Sequence, residues 1–134
     1  MRLRDQVCLV TGAASGIGRG IAQRFRAEGG RLVVADRNGP GVAAVARELD
    51  GFSVAVDVAD SSSVDRMVRT ALDAHGRIDV VVNSAGIGRL ASALETTDED
   101  WHEHLAINLT GTFFVCRRAP SSRPPRGDRR RTSP

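Results

Sequence analysis

Short apolar runs alternate with stretches whose apolar residues recur every three or four positions along most of this chain. Gln6–Val10 reads as a buried strand, and a glycine-rich turn follows it. Ile17, Ile21 and Phe25 then share one helical face, which Gly29-Gly30 closes. Arg31–Ala35 reads as a second strand ending at Asp36. Val42, Val45, Ala46 and Leu49 follow the spacing of a helix that stops at Gly51. Phe52–Val56 makes a third strand, ending at Asp57. The next helix begins among Asp60-Ser61-Ser62-Ser63, whose side-chain oxygens suit free backbone N–H groups, and carries an inner stripe of Val64, Met67, Val68, Ala71 and Leu72 up to Gly76. Asp79–Val82 is a fourth strand. A loop leads to a last helix with an acidic first turn, Asp98-Glu99-Asp100, and a stripe of Trp101, Leu105, Leu109, Phe113 and Cys116.

Strands that alternate with helices, and that read as nearly continuous apolar runs, imply a parallel sheet covered on both faces. Right-handed crossovers then favour an α/β, doubly wound, Rossmann-type sheet in the order 3-2-1-4, with nothing in the sequence to supply a strand beyond the fourth. The pattern stops after Arg118. Residues 119–134 hold four prolines and no apolar period, and are expected to be a disordered Arg/Pro-rich tail on a domain of residues 1–118.

Charge sharpens that boundary. The net +3 divides into −3 over residues 1–116 (12 Arg, 15 acids) and +6 over residues 117–134 (seven Arg, one acid). The body therefore offers no nucleic-acid surface. At 134 residues and 41% apolar, one domain with a real core is expected. No run approaches a membrane span, and no signal peptide is expected from the opening residues. Cys8 and Cys116 lie in apolar surroundings without motif spacing, which suits reduced, buried thiols and a cytoplasmic location.

The chemistry concentrates in Thr11-Gly12-Ala13-Ala14-Ser15-Gly16-Ile17-Gly18. A pyrophosphate at a helix N-terminus needs close backbone approach and the positive end of the helix dipole, and these glycines clear the space. Asp36 follows 18 residues after Gly18, at the end of the next strand. A carboxylate there accepts both adenosine-ribose hydroxyls and repels a 2′-phosphate, which favours NAD over NADP. The guanidinium of Arg37 pulls the other way. His102-Glu103-His104 does not make a metal site, because rings two residues apart on a helix diverge by about 200°. His75, near a helix C-terminus, sits where a partial positive charge is welcome.

Together with Asp57-Val58, Asn83-Ser84-Ala85-Gly86 and Ile107-Asn108-Leu109-Thr110-Gly111-Thr112-Phe113, the glycine turn resembles the short-chain dehydrogenase/reductase family over residues 3–118. The resemblance implies an NAD(P)-dependent oxidoreductase of alcohols and carbonyls. It implies that Gly12, Ser15, Gly16, Ile17 and Gly18 line the pyrophosphate, with Asp36 and Arg37 at the ribose. Asp57 and Val58 would then meet adenine, and Asn83, Ala85 and Gly86 lie along the cofactor. Ser84 replaces the commoner Asn, and Asn108 matches the asparagine that supports a proton relay in the family. A mid-helix Asn bonding its own backbone is the plainer reading of that residue, and both can hold at once.

Family catalysis also needs a Ser, a Tyr and, four residues on, a Lys. This sequence has no Tyr, and all 19 of its basic residues are Arg. The chain is therefore expected to be the dinucleotide-binding half and inactive in isolation, with residues from about Arg118 onward a frameshift product or gene fragment. The fourth strand would be an exposed edge, and the last helix is where the resemblance places a homo-oligomer contact. The competing expectations are a non-catalytic nucleotide-binding or dimerising module and a basic-tailed interaction protein.

Overall fold

Runs of Val, Leu, Ala and Cys too short for a stable helix pair as strands, and the amphipathic segments between them fold back over the sheet. The computed structural model describes residues 1–119. Its elements are β1 (Val7–Thr11), α1 (Gly16–Ala27), β2 (Arg31–Asp36), α2 (Gly39–Glu48), β3 (Phe52–Ala55), α3 (Ser61–His75), β4 (Val80–Val82), α4 (Asp98–His104), a π-helical segment (Leu105–Gly111) and α5 (Thr112–Arg118). All strand pairs are parallel, and the sheet order is β3-β2-β1-β4, as expected.

Alternation of side chains along the strands explains why whole runs are apolar. Val7 and Leu9 of β1, with Val33 and Ala35 of β2, pack on one face against Val64, Met67 and Val68 of α3 and Val115 of α5. Cys8, Val10, Leu32 and Val34 face the other way, onto Ala22 of α1 and Val42 and Ala46 of α2. Each buried Val or Leu is worth about 1.5–3 kcal/mol relative to exposure, so the two layers hold the sheet between them. The outer strands are less covered: β4 is half-buried throughout, and no strand among the described residues pairs with its other edge.

Helix ends follow the side-chain chemistry. Asp60 Oδ1 accepts the Ser62 N–H at 2.9 Å at the start of α3, and Gly76 closes that helix in the left-handed region at φ +73°. Asn38 caps α2 through the Gly41 N–H, and Thr97 caps α4 through the Asp100 N–H.

Three expectations are corrected. Ile17 is 78% exposed, because Gly18 and Ala22 are the residues of α1 that face the sheet, with Ile21 and Phe25 beside them only partly buried. The stripe of the last helix faces outward: Trp101 is 58% and Leu109 65% exposed, and Leu105, Phe113 and Cys116 are exposed as well. The buried side is instead Gly111 and Val115, with Ile107 and Phe114 half-covered. His75 is the last residue of α3, at the helix C-terminus as expected. Burial, then the Arg31 guanidinium, hold its pKa below the usual histidine value, and Arg31 donates to its Nδ1 at 3.2 Å. Of the two free thiols only Cys8 is buried. The Arg/Pro-rich segment expected to be disordered lies outside the described residues, apart from Ala119, which caps α5 and is buried. No helix among the described residues is long and apolar enough to cross a membrane.

Candidate functional site

Parallel pairing aligns the carboxyl ends of the strands: Thr11 lies opposite Ala35, Val10 opposite Val82, and Asp36 opposite Ala55. Chain order reverses at β1, where α1 leaves one face and the turn after β4 arrives beside it, and a crevice opens outside such a reversal point. Here it is a cleft of about 380 Å³.

The β1–α1 turn makes its floor. Gly12 sits at φ +67°, and a Cβ there would come within 2.7 Å of the Ser84 and Ala85 backbone. Gly18 is tighter still, since its Cβ would fall 2.2 Å from the Gly12 carbonyl oxygen. The two glycines therefore set how closely the turn, the helix and the β4 exit approach one another. Ser15, the residue before α1, makes no side-chain cap, so the first-turn N–H groups open onto the cleft beside Gly16, Ile17 and Gly18.

Two carboxylates stand on the wall. Asp36 Oδ2 accepts the Ala14 N–H at 3.0 Å and Oδ1 the Asn38 N–H at 2.9 Å, which fixes the carboxylate between the glycine turn and the start of α2. Arg37 lines the cleft next to it. Asp57 Oδ1 accepts the Ala59 N–H at 3.0 Å, while the Asp57 N–H donates to Ser63 Oγ at 3.0 Å. Thr11 is fully buried and connects the strand ends: its hydroxyl donates to the Val82 carbonyl and accepts the N–H groups of Ser84 and Ala85 at 3.2 and 3.3 Å.

Gly12, Ser15, Gly16, Ile17, Gly18, Asp36, Arg37, Asp57, Val58, Ala85 and Gly86 all line this one cleft. Asn83 does not; its amide donates to Cys116 Sγ at 3.3 Å. Its neighbour Ser84 lines the cleft instead, together with Val56, Ile87 and Ile107. Ile87 could have been suspected from its place directly after Gly86, whereas Val56 and Ile107 carry no signal beyond being apolar.

Asn108 stands in the π-helical segment and does not bond its own helix through its side chain. Its Oδ1 accepts the Ile87 N–H and its Nδ2 donates to the Ile87 carbonyl, both at 2.9 Å, so it clamps the chain just beyond Gly86. Arg89 strengthens that clamp through ion pairs with Asp100 and Glu103. His104 accepts the Arg89 N–H at Nε2 and is tied at Nδ1 to the Asp100 carbonyl, while His102 is exposed. Among the described residues no three His, Cys, Asp or Glu side chains gather as metal ligands.

A sequence model of the family described as short chain dehydrogenase matches residues 6–123. This chain is a short-chain dehydrogenase family member. D-threitol dehydrogenase of Mycolicibacterium smegmatis is 47% identical over 120 residues, covering 86% of this chain and 46% of that protein. Among solved structures, a short-chain dehydrogenase/reductase (glucose/ribitol dehydrogenase) of Brucella melitensis superposes with a TM-score of 0.87 at 34% identity, over 91% of this chain and 54% of that one. The 3-ketoacyl-(acyl-carrier-protein) reductase of the same organism, solved with NADH, has a TM-score of 0.82 at 32% identity, over 85% and 48% of the two chains. The chain spans about half the length of the curated relatives it matches. The family binds a nicotinamide dinucleotide, and one of these structural neighbours holds NADH.

Proposed function

We propose that these residues form the dinucleotide-binding part of an NAD-dependent oxidoreductase acting on an alcohol or carbonyl. One observation carries the reading: the uncapped first turn of α1 and the pinned carboxylate of Asp36 face the same cleft. The N–H groups suit a pyrophosphate and the carboxylate suits two vicinal ribose hydroxyls. Bound there, NAD supplies hydride transfer at its nicotinamide ring. The rest is done by this chain. Gly12 and Gly18 keep backbone close to the phosphates. Asp36 accepts from the ribose and disfavours a 2′-phosphate, with Arg37 the opposing charge beside it. Asp57 and Val58 border the purine. Ala85, Gly86 and Ile87 form the inner wall, held in place by Asn108, whose two side-chain polar atoms are both committed to Ile87. A part for Asn108 in a proton relay would therefore run through the position of its helix.

The 134 residues hold no Tyr and no Lys, so by themselves they lack the acid and cation that family catalysis uses, and no turnover is expected from them. That same absence supports a second reading, a nucleotide-binding module that does not catalyse. A homo-oligomer fits the outward stripe of Trp101, Leu105, Leu109 and Phe113: Asp98, Glu99 and Asp100 stand at one end of that helical stretch, and Arg117 and Arg118 at the other. Two copies packed antiparallel would set acid against base. The two free thiols accord with a reducing, cytoplasmic setting.

Thermal unfolding with NAD, NADP or neither tests the reading. NAD should raise the midpoint more than NADP, and Asp36→Ala should abolish the difference. Equal shifts with both dinucleotides would remove the NAD preference, and no shift with either would remove the binding site. NADH production from any alcohol by the purified chain would refute the inactivity.

A further inference from the structure

The chain leaving β4 is stitched to the last helical stretch at two places. Asn108 holds both polar groups of the Ile87 backbone. Two residues on, the Arg89 N–H donates to Nε2 of His104 at 3.3 Å, and the Arg89 guanidinium pairs with Asp100 and with Glu103. Gly88 stands between the stitches with open space where a Cβ would be, so no side chain stiffens that joint. Ile87 lines the cleft. The second stitch therefore limits how far the inner wall can swing.

The half-buried His104 ring makes these bonds in one form alone. Its Nε2 accepts and so carries no proton; its Nδ1 lies 2.6 Å from the Asp100 carbonyl oxygen and carries the proton it donates there. A second proton goes to Nε2 and leaves two N–H groups facing each other. The charged groups around the ring are Arg89 from the loop and Asp100 and Glu103 from its own helix. Glu95 of the loop is turned to Ser92, and Leu105–Gly111 carries no titratable side chain. Protonation thus removes the bond to the Arg89 N–H and offers the carboxylate partners of Arg89 a competing cation.

We infer that His104 is a positioning residue that latches the inner wall of the cleft while its ring is neutral and releases it when the ring is protonated, so that mild acid weakens dinucleotide binding. Only the ligand rests on the function proposed above; the latch is readable without it.

The sequence has three histidines, so NMR of the ring nitrogens, assigned with His75→Gln, His102→Gln and His104→Gln, reads each one in the full chain. At about pH 7.5 His104 should carry its proton on Nδ1, and hydrogen exchange at the Arg89 amide, corrected for its intrinsic pH dependence, should speed up toward about pH 5.5. A proton on Nε2 at the higher pH, or unchanged protection of Arg89, overturns the proposal, and both readouts need the wild type alone. Calorimetric titration with NAD should then show affinity falling roughly two- to fivefold over the same range. His102→Gln, an exposed change on the same helix, should keep that fall. His104→Gln, whose amide oxygen accepts without titrating, should abolish it. A fall that persists in His104→Gln, or no fall in the wild type, overturns the link to binding. A wild type that binds no NAD at either pH removes the dinucleotide site, while the ring and exchange measurements still decide the latch.

Discussion

Two glycines two residues apart in α1, Gly18 and Gly20, should respond to the same substitution with opposite signs. A Cβ on Gly18 would lie 2.2 Å from the Gly12 carbonyl oxygen, 2.7 Å from its carbon and 3.2 Å from Ala13 Cα. Contact between such atoms begins at about 3.5 Å, so the overlap exceeds an ångström and every atom met is backbone. Gly12 cannot retreat, because its own Cα already packs so closely on Ser84 and Ala85 that a Cβ there would meet their backbone at 2.7 Å. Gly18→Ala must therefore push α1 away from the turn. Overpacking of this kind costs about 1–3 kcal/mol, against about 1 kcal/mol gained in helix propensity. A Cβ on Gly20 meets nothing within 4 Å, so Gly20→Ala keeps only the propensity gain of about 1 kcal/mol. At about 4 °C per kcal/mol for a domain of this size, Gly20→Ala should melt several degrees above the wild type and Gly18→Ala below it. The assay is thermal unfolding by far-UV circular dichroism, paired with titration of NAD. Only Gly18→Ala should weaken binding, because it displaces the first-turn N–H groups. A Gly18→Ala protein at least as stable as wild type, with unchanged affinity, would refute the packing argument.

Three further outcomes follow from single contacts. Thr11→Val keeps the shape and leaves the Ser84 and Ala85 N–H groups without their acceptor, so urea unfolding should show a loss of about 1–3 kcal/mol and NAD binding should weaken with it. Burial, then the charge of Asp79, push the Cys8 thiol up to about 11; a disulfide reagent at neutral pH should label Cys116 at once and Cys8 only on the timescale of unfolding. His75 titrates below its usual value in the folded chain, so folding favours the neutral ring. Its stabilising contribution is complete above the unfolded-state pKa of about 6.5 and falls as the pH drops toward the lowered folded value, so a urea midpoint that declines over that window should decline less in His75→Gln.

Much of the site was legible because its signals are local. The glycine turn, Asp36 and Asp57 each sit at the end of an apolar run, and parallel pairing carries all such ends to one edge of the sheet. Asn83 and Ser84 show where local reading stops. Side chains alternate along an extended chain, and which of two neighbours faces the cleft depends on register. Val10 pairs with Val82, and Thr11 then takes the Ser84 and Ala85 amides, which puts Ser84 inside and leaves Asn83 to Cys116. Ser63 was legible as part of a cap and not as the acceptor for Asp57, since the bond spans a turn whose path is set by packing.

The sequence alone determined the element order, the sheet order and the place of the glycine turn, because periods of 2 and 3.6 and the needs of a tight turn are properties of a few adjacent residues. Only the tertiary structure decided which face of the last helix is covered. Trp101, Leu105, Leu109 and Phe113 form one apolar set at intervals of four, and Ile107, Gly111 and Val115 form another. Periodicity cannot rank two apolar stripes on one helix. Close packing does: Gly111 is small enough to rest on Val58, where a Cβ would meet the valine side chain at 2.8 Å, so the side with the small residue turns inward and the larger aromatic side turns out.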